Sequence, residues 1–115
     1  MIFKNKTLLL TGGSRGLGKK ICYEFAQRGA NIIFTYVRSS TEAKLLKNDL
    51  EKFGVNVKSK KLNLNSNEDI NNFCEDIKSL NIQLDFLINN AASGVMKNSL
   101  ESTEKHWDWT MQINA

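Results

Sequence analysis

The sequence predicts an α/β fold built on a doubly wound parallel sheet, and three observations predict it. Apolar, β-branched runs of strand length alternate with segments whose apolar residues recur at helical spacing. The first run enters a helix through a glycine-rich stretch, Thr11-Gly12-Gly13-Ser14-Arg15-Gly16-Leu17-Gly18. The last run, Leu84–Ile88, is continuously apolar, as a strand covered on both faces must be.

In chain order, the first strand is expected over Lys6–Leu10 and the first helix over Gly16–Arg28. Leu17, Ile21 and Phe25 form one stripe of that helix, with Gly18, Cys22 and Ala26 beside it, and Gly29 is a natural stop. Asn31–Val37 is β-branched and aromatic and reads as the second strand. A second helix over Thr41–Phe53 carries Ala43, Leu46, Leu50 and Phe53 at helical spacing and ends at Gly54. Val55–Leu62 is the third strand. Ser66 caps a third helix with Glu68 and Asp69 in its first turn and Ile70, Phe73, Ile77 and Leu80 as its buried stripe. Leu84–Ile88 is the fourth strand, and a last helix is expected from Ser102 or Thr103. Strands alternating with helices imply right-handed crossovers and helices on both faces of the sheet. The expected architecture is a Rossmann-type sheet with strand order 3-2-1-4 and its switch point between strands one and four. The glycine stretch and Asn89-Asn90-Ala91-Ala92 meet at that point.

The glycine stretch has the chemistry of a phosphate cradle. A strand that turns on glycines into a helix presents backbone N–H groups and a positive dipole end to an anion. Gly12 can take a turn conformation closed to other residues, Gly16 lets the backbone approach a ligand, and Gly18 lets the helix lie close to the strand. A tight turn without a ligand has the same glycines, but the strand–helix–strand context favours a dinucleotide pyrophosphate. Gly13, Gly18 and Lys19 also fit a nucleoside-triphosphate loop, yet the next position is Lys20, which has no hydroxyl for magnesium. Asn89-Asn90 likewise stands where that chemistry wants a metal-holding aspartate, so the triphosphate reading is the poorer one.

NAD-binding versions of this unit place an acid near the end of strand two to bind the ribose hydroxyls. Here that region reads Tyr36-Val37-Arg38-Ser39, without a carboxylate. Arg15 and Arg38 are therefore expected to converge on a 2′-phosphate, which makes NADP(H) the expected cofactor.

Composition narrows the function classes. With 115 residues, 41% hydrophobic and 24% charged, the chain fits at most one domain. No apolar run reaches the ~18–20 residues of a membrane span, and Met1–Lys6 lacks the apolar core of a signal peptide, so a cytoplasmic protein is expected. A net charge of +4 spread along the chain reads as a solvated surface; no nucleic-acid or membrane partner is expected. Cys22 and Cys74 have no metal spacing and are expected to be reduced, packed thiols, and no metal site is expected.

These motifs resemble the short-chain dehydrogenase/reductase family over the entire chain. The family's T-G-x-x-x-G-x-G is Thr11 to Gly18, its N-N-A-G is Asn89-Asn90-Ala91-Ala92, and its helix-four N-A is Asn114-Ala115. Asn89–Val95 with His106-Trp107-Asp108-Trp109-Thr110-Met111 most resembles the third, FabL-type, bacterial enoyl-acyl-carrier-protein reductase. The resemblance implies phosphate contacts from Ser14, Arg15, Gly16 and Leu17, and adenosine-phosphate contacts from Arg38 and Ser39. It implies adenine contacts from Asn63 and Leu64, and ribose contacts from Asn90 and Ala91. Asn114 falls where the family holds a proton-relay water, the one catalytic position implied. The usual adenine-contacting aspartate is Asn63 here, whose amide can both donate and accept. Ala92 replaces the usual glycine, as in the FabL-type subgroup.

The resemblance further implies an acyl-carrier-protein-linked or small carbonyl substrate and a homo-oligomer, tetrameric at full length. The family's Tyr and Lys have no counterpart: offsets of four and seven from Tyr23 and Tyr36 fall on Gln27, Ala30, Ser40 and Ala43. His106, Trp107 and Trp109 read better as surface or packing residues than as replacements. Residues 1–115 are thus expected to be the NADP(H)-binding N-terminal part of a single reductase domain, inactive alone and aggregation-prone at the strand-four edge. A 3-oxoacyl-acyl-carrier-protein reductase and a non-catalytic dinucleotide-binding module remain the alternatives.

Overall fold

The computed structural model describes residues 2–14, 16–63 and 65–90. Seven elements follow one another: β1 (Thr7–Thr11), α1 (Gly16–Gln27), β2 (Asn31–Tyr36), α2 (Ser40–Glu51), β3 (Val57–Lys61), α3 (Asn67–Ser79) and β4 (Phe86–Asn89). The expected last helix, with His106, Trp107 and Trp109, lies outside the described residues.

The four strands are parallel and ordered β3-β2-β1-β4. Alternation along the central strands divides the core in two. Leu9 of β1 and Ile33 of β2 pack with Ile70, Phe73, Cys74 and Ile77 of α3. Leu8, Leu10, Ile32 and Phe34 point the other way, onto Cys22 and Ala26 of α1 and Ala43, Leu46 and Leu50 of α2. All five residues of β1 are buried, which explains the run of three leucines between its threonines. Edge strand β3 reads V-K-S-K-K; its exposed Lys58 and Lys61 discourage further pairing.

Three local differences from the sequence expectations have clear causes. On α1 the fully buried stripe is Gly18, Cys22 and Ala26, whereas Leu17 is 65% exposed. Small residues line the seam because α1 lies close against the sheet, and Gly18 sits against the backbone of Gly12. Phe25 is half-buried in an aromatic cluster, with ring centroids 5.1 Å from Phe3 and 5.2 Å from Phe86. β4 begins at Phe86, not Leu84, because Asp85 holds the start of β1. Thr7 N–H donates to Asp85 Oδ2 at 2.9 Å, and the ladder proper starts with Leu8 opposite Phe86. β3 begins at Val57 because its pairing with β2 starts at Ile32. α3 starts as the sequence implies, with Ser66 Oγ accepting from Asp69 N–H at 3.1 Å. No described helix is long and apolar enough to cross a membrane.

Both cysteines are free and buried, one under each face of the sheet. Burial pushes the Cys22 thiol up to about 12 and, with Glu75 nearby adding to it, the Cys74 thiol to about 12. A thiol that stays protonated in the fold but ionises at its ordinary value near 9.0 when unfolded withdraws stability as pH climbs from 9.0 toward 12. Native protein is expected to resist iodoacetamide at pH 8 and to react at two sites once denatured; equal rates in both states would contradict this packing.

Candidate functional site

The site forms where β1 ends and its two neighbours diverge. Leu10 is the last β1 residue paired with β2, and Thr11 pairs only with Asn89 of β4. At this switch point the chain must turn into α1 without leaving backbone polar groups unpaired. Side chains from both neighbouring strands satisfy them. Gly12 N–H donates to Thr35 Oγ1 at 3.3 Å and Gly13 N–H to the Thr35 carbonyl at 3.0 Å. On the other side Thr11 Oγ1 donates to Asn89 Oδ1 at 3.0 Å and accepts from Asn90 N–H at 3.1 Å. Asn90 Nδ2 donates to the Gly12 carbonyl at 3.1 Å. The glycine turn and the asparagine pair therefore do not merely face each other; they are latched.

Glycine is required at two of these positions for different reasons. A Cβ on Gly18 would overlap the Gly12 carbonyl oxygen and lie 2.7 Å from Asn90 Nδ2, so a side chain there would push α1 off the latch. Gly16 has φ +61° and nothing within 4 Å of where its Cβ would be, so open space lies over the first turn of α1. The N–H groups of that turn have no intrahelical acceptor. α1 has no acid in its first turn, whereas α2 has Glu42 and α3 has Glu68 and Asp69. Its positive end is left for an anion from outside.

Beside the turn lies a cleft of about 290 Å³ lined by Gly12, Ser14, Tyr36, Val37, Arg38 and Ser39. Among the described residues its wall carries a cation, Arg38, and no carboxylate. Ser39 occupies the N-cap position of α2 but its hydroxyl makes no cap hydrogen bond, so it is available to a ligand in the cleft. Ser14 also borders a second cavity of about 310 Å³ between α1 and α2, with Lys19, Glu42, Leu45 and Asp49. Asn63 lies just past β3, where the Leu62 N–H to Tyr36 carbonyl bond of 2.9 Å brings the chain beside the cleft. Gly12, Ser14, Gly16, Leu17, Gly18, Arg38, Ser39, Asn63 and Asn90 thus gather along the carboxyl ends of the strands. Arg15, Leu64, Ala91 and Asn114 lie outside the described residues.

Sequence reasoning missed Thr35 and the role of Thr11. The signal for Thr35 was available: a small hydroxyl-bearing residue following the apolar run Ile32–Phe34 at the carboxyl end of β2, opposite a glycine turn.

A parallel sheet ordered β3-β2-β1-β4, with helices on both faces and a glycine turn at its switch point, is a Rossmann-like fold. The family model for the short chain dehydrogenases matches residues 6–115, and the chain belongs to that family. It is 31% identical over 112 residues to the short-chain dehydrogenase/reductase FrzI of a Cladobotryum species, across 96% of this chain and 43% of that one. It is 29% identical over 112 residues to the 3-oxoacyl-[acyl-carrier-protein] reductase FabG of Staphylococcus epidermidis, across 96% and 45% of the two chains. Among solved structures, a blue fluorescent protein from a metagenomic library in complex with NADPH superimposes with a TM-score of 0.74 at 26% identity, over 97% of this chain and 51% of the other. A Serratia marcescens short-chain dehydrogenase/reductase mutant shares the fold with a TM-score of 0.74 at 24% identity, over 97% and 50%. The chain spans less than half the length of these two curated relatives.

Replacing Thr11 with Val keeps the shape and leaves Asn89 Oδ1 and Asn90 N–H without their partner. The expected loss is about 1–3 kcal/mol in a denaturant melt, with Thr11→Ser near wild type. Gly18→Ala is expected to lose a similar amount by overpacking, roughly 1–3 kcal/mol. A Thr11→Val protein as stable as wild type would show that the latch is not energetically significant.

Proposed function

We propose that residues 1–115 form the NADP(H)-binding part of a reductase. The observation that carries this reading is the cleft at the end of β2, which offers Arg38 and an uncapped Ser39 where a ribose-binding acid would select NAD(H). Gly16 and Leu17 would hold the pyrophosphate on the N–H groups of the first α1 turn, with Ser14 and Arg15 beside it. Arg38 and Ser39 would take the 2′-phosphate, Asn63 and Leu64 the adenine, and Asn90 and Ala91 the adenosine ribose. The residues fit the group: the latch uses the polar groups of the turn itself and leaves the space over Gly16 open. Solved relatives described as complexes with NADPH or NADP support the same cofactor.

Bound NADPH supplies a hydride. The substrate we propose is the trans-2-enoyl thioester of acyl-carrier protein, on the likeness of Asn89–Val95 and His106–Met111 to the FabL-type enzymes. In that reading Asn114 positions a proton-relay water, and the full-length protein is a cytoplasmic homo-oligomer. FabG relatives from Staphylococcus epidermidis and Aquifex aeolicus, 29% and 30% identical, favour a second reading, reduction of a 3-oxoacyl thioester.

Two measurements test the proposal. Arg38→Asp is expected to weaken NADPH binding at least about tenfold while sparing NADH; an unchanged NADPH-to-NADH ratio would remove Arg38 from the cofactor site. With the natural gene product, crotonyl thioester is expected to be reduced faster than acetoacetyl thioester. The reverse order would select the 3-oxoacyl reading, and saturable NADPH binding without turnover of either would select a non-catalytic module.

A further inference from the structure

The base end of the proposed cofactor site has an unusual polarity. Strand order alone places a base there. With phosphates at the β1 turn and the ribose at the end of β2, the next position outward along the sheet is the end of β3, where Asn63 stands. Val37, 48% exposed and lining the cleft, offers an apolar surface that a flat ring would cover.

Asn63 is oriented by its own loop. Its Oδ1 accepts from Asn65 N–H at 3.0 Å, while its backbone N–H donates to Asp69 Oδ2 at 3.3 Å. The Asp69 N–H is in turn capped by Ser66 Oγ at 3.1 Å. A backbone N–H needs an acceptor, so the carboxamide cannot flip without setting its NH₂ against the Asn65 N–H. The oxygen is committed to the loop's own Asn65 N–H, and among the described residues the Nδ2 group has no partner. Asn63, an exposed residue just past β3, therefore keeps an unengaged donor at the carboxyl end of that strand. A carboxylate here would keep one oxygen for Asn65 N–H and offer the second outward as an acceptor.

We propose that this base site is matched to a hydrogen-bond acceptor at the purine 6-position, so that it takes a 6-oxo purine dinucleotide at least as tightly as the 6-amino one. The exocyclic amine of adenine is a donor and meets Nδ2 as a like group. The 6-oxo group of hypoxanthine accepts from it. N7, an acceptor in both bases, is open to Nδ2 either way and does not discriminate between them. The inference rests on the reading that the cofactor's base lies at the end of β3.

The test uses the natural gene product with two probes, NADPH and its 6-oxo analogue, reduced nicotinamide hypoxanthine dinucleotide phosphate, each titrated by nicotinamide fluorescence. Wild type is expected to bind the analogue as tightly as NADPH or tighter, and Asn63→Asp to favour NADPH by about tenfold. An analogue that binds wild type about tenfold more weakly than NADPH, with Asn63→Asp still altering that ratio, would overturn the polarity inference and leave the base placement standing. If Asn63→Asp changes neither affinity while Arg38→Asp still shifts the coenzyme ratio, the base does not lie at Asn63 and the placement itself falls. Loss of both affinities in Asn63→Asp with a lowered melting temperature would mark misfolding. Asn63→Ser, which can donate or accept, then decides: the analogue must still bind it as well as NADPH.

Discussion

The fold depends on one constraint at the end of β1. Five buried residues run into a turn that must release the chain from the sheet, satisfy its own amides and carbonyls, and still leave a helix N-terminus exposed. Thr35 from one neighbouring strand and Asn89 and Asn90 from the other meet the first two demands. Each bond contributes only about 0.5–1.5 kcal/mol net. Their joint effect is positional. By holding Gly12 from both sides, they fix the direction in which α1 leaves, and Gly18 lets that helix settle against the turn.

Packing supports the same point from below. The two-sided core keeps β1 and β2 central and buried on both faces, so the ends of these strands cannot shift independently. Phe3, Phe25 and Phe86 pack together near the start of the sheet, and Asp85 ties the start of β4 to β1 at Thr7. The rigid part of the molecule is thus the sheet. The groups that face the cleft, Arg38, Ser39 and the exposed Val37, sit on its rim, where surface is available to a ligand.

Much of this was legible in the sequence because it rests on local rules. Alternation and helical spacing gave the element order, β-branched and apolar content marked the central strands, and the glycine spacing located the switch point. The element ends were less legible, since partners distant in sequence decide them. β4 starts two residues late because Asp85 uses its carboxylate on Thr7, 78 positions away. The buried seam of α1 was displaced for a related reason. Leu17 is more apolar than Gly18, yet Gly18 faces the sheet because a close backbone approach outweighs the burial of one side chain. The commitment of the Asn63 oxygen to the Asn65 N–H was also out of reach of a motif comparison, which treats the amide as free to donate or accept. It follows from an Asx-type turn to Asn65 that only coordinates show.

The central claim is that a phosphorylated dinucleotide binds along the carboxyl ends of β1, β2 and β3, held by a latched glycine turn. Hydrogen–deuterium exchange with and without saturating NADPH tests it most directly. The account predicts protection at Gly16–Gly18, Tyr36–Ser39 and the segment around Asn63, with little change in the first half of β3 or the last turn of α3. Protection confined to the cavity between α1 and α2, or spread evenly over the sheet, would contradict it.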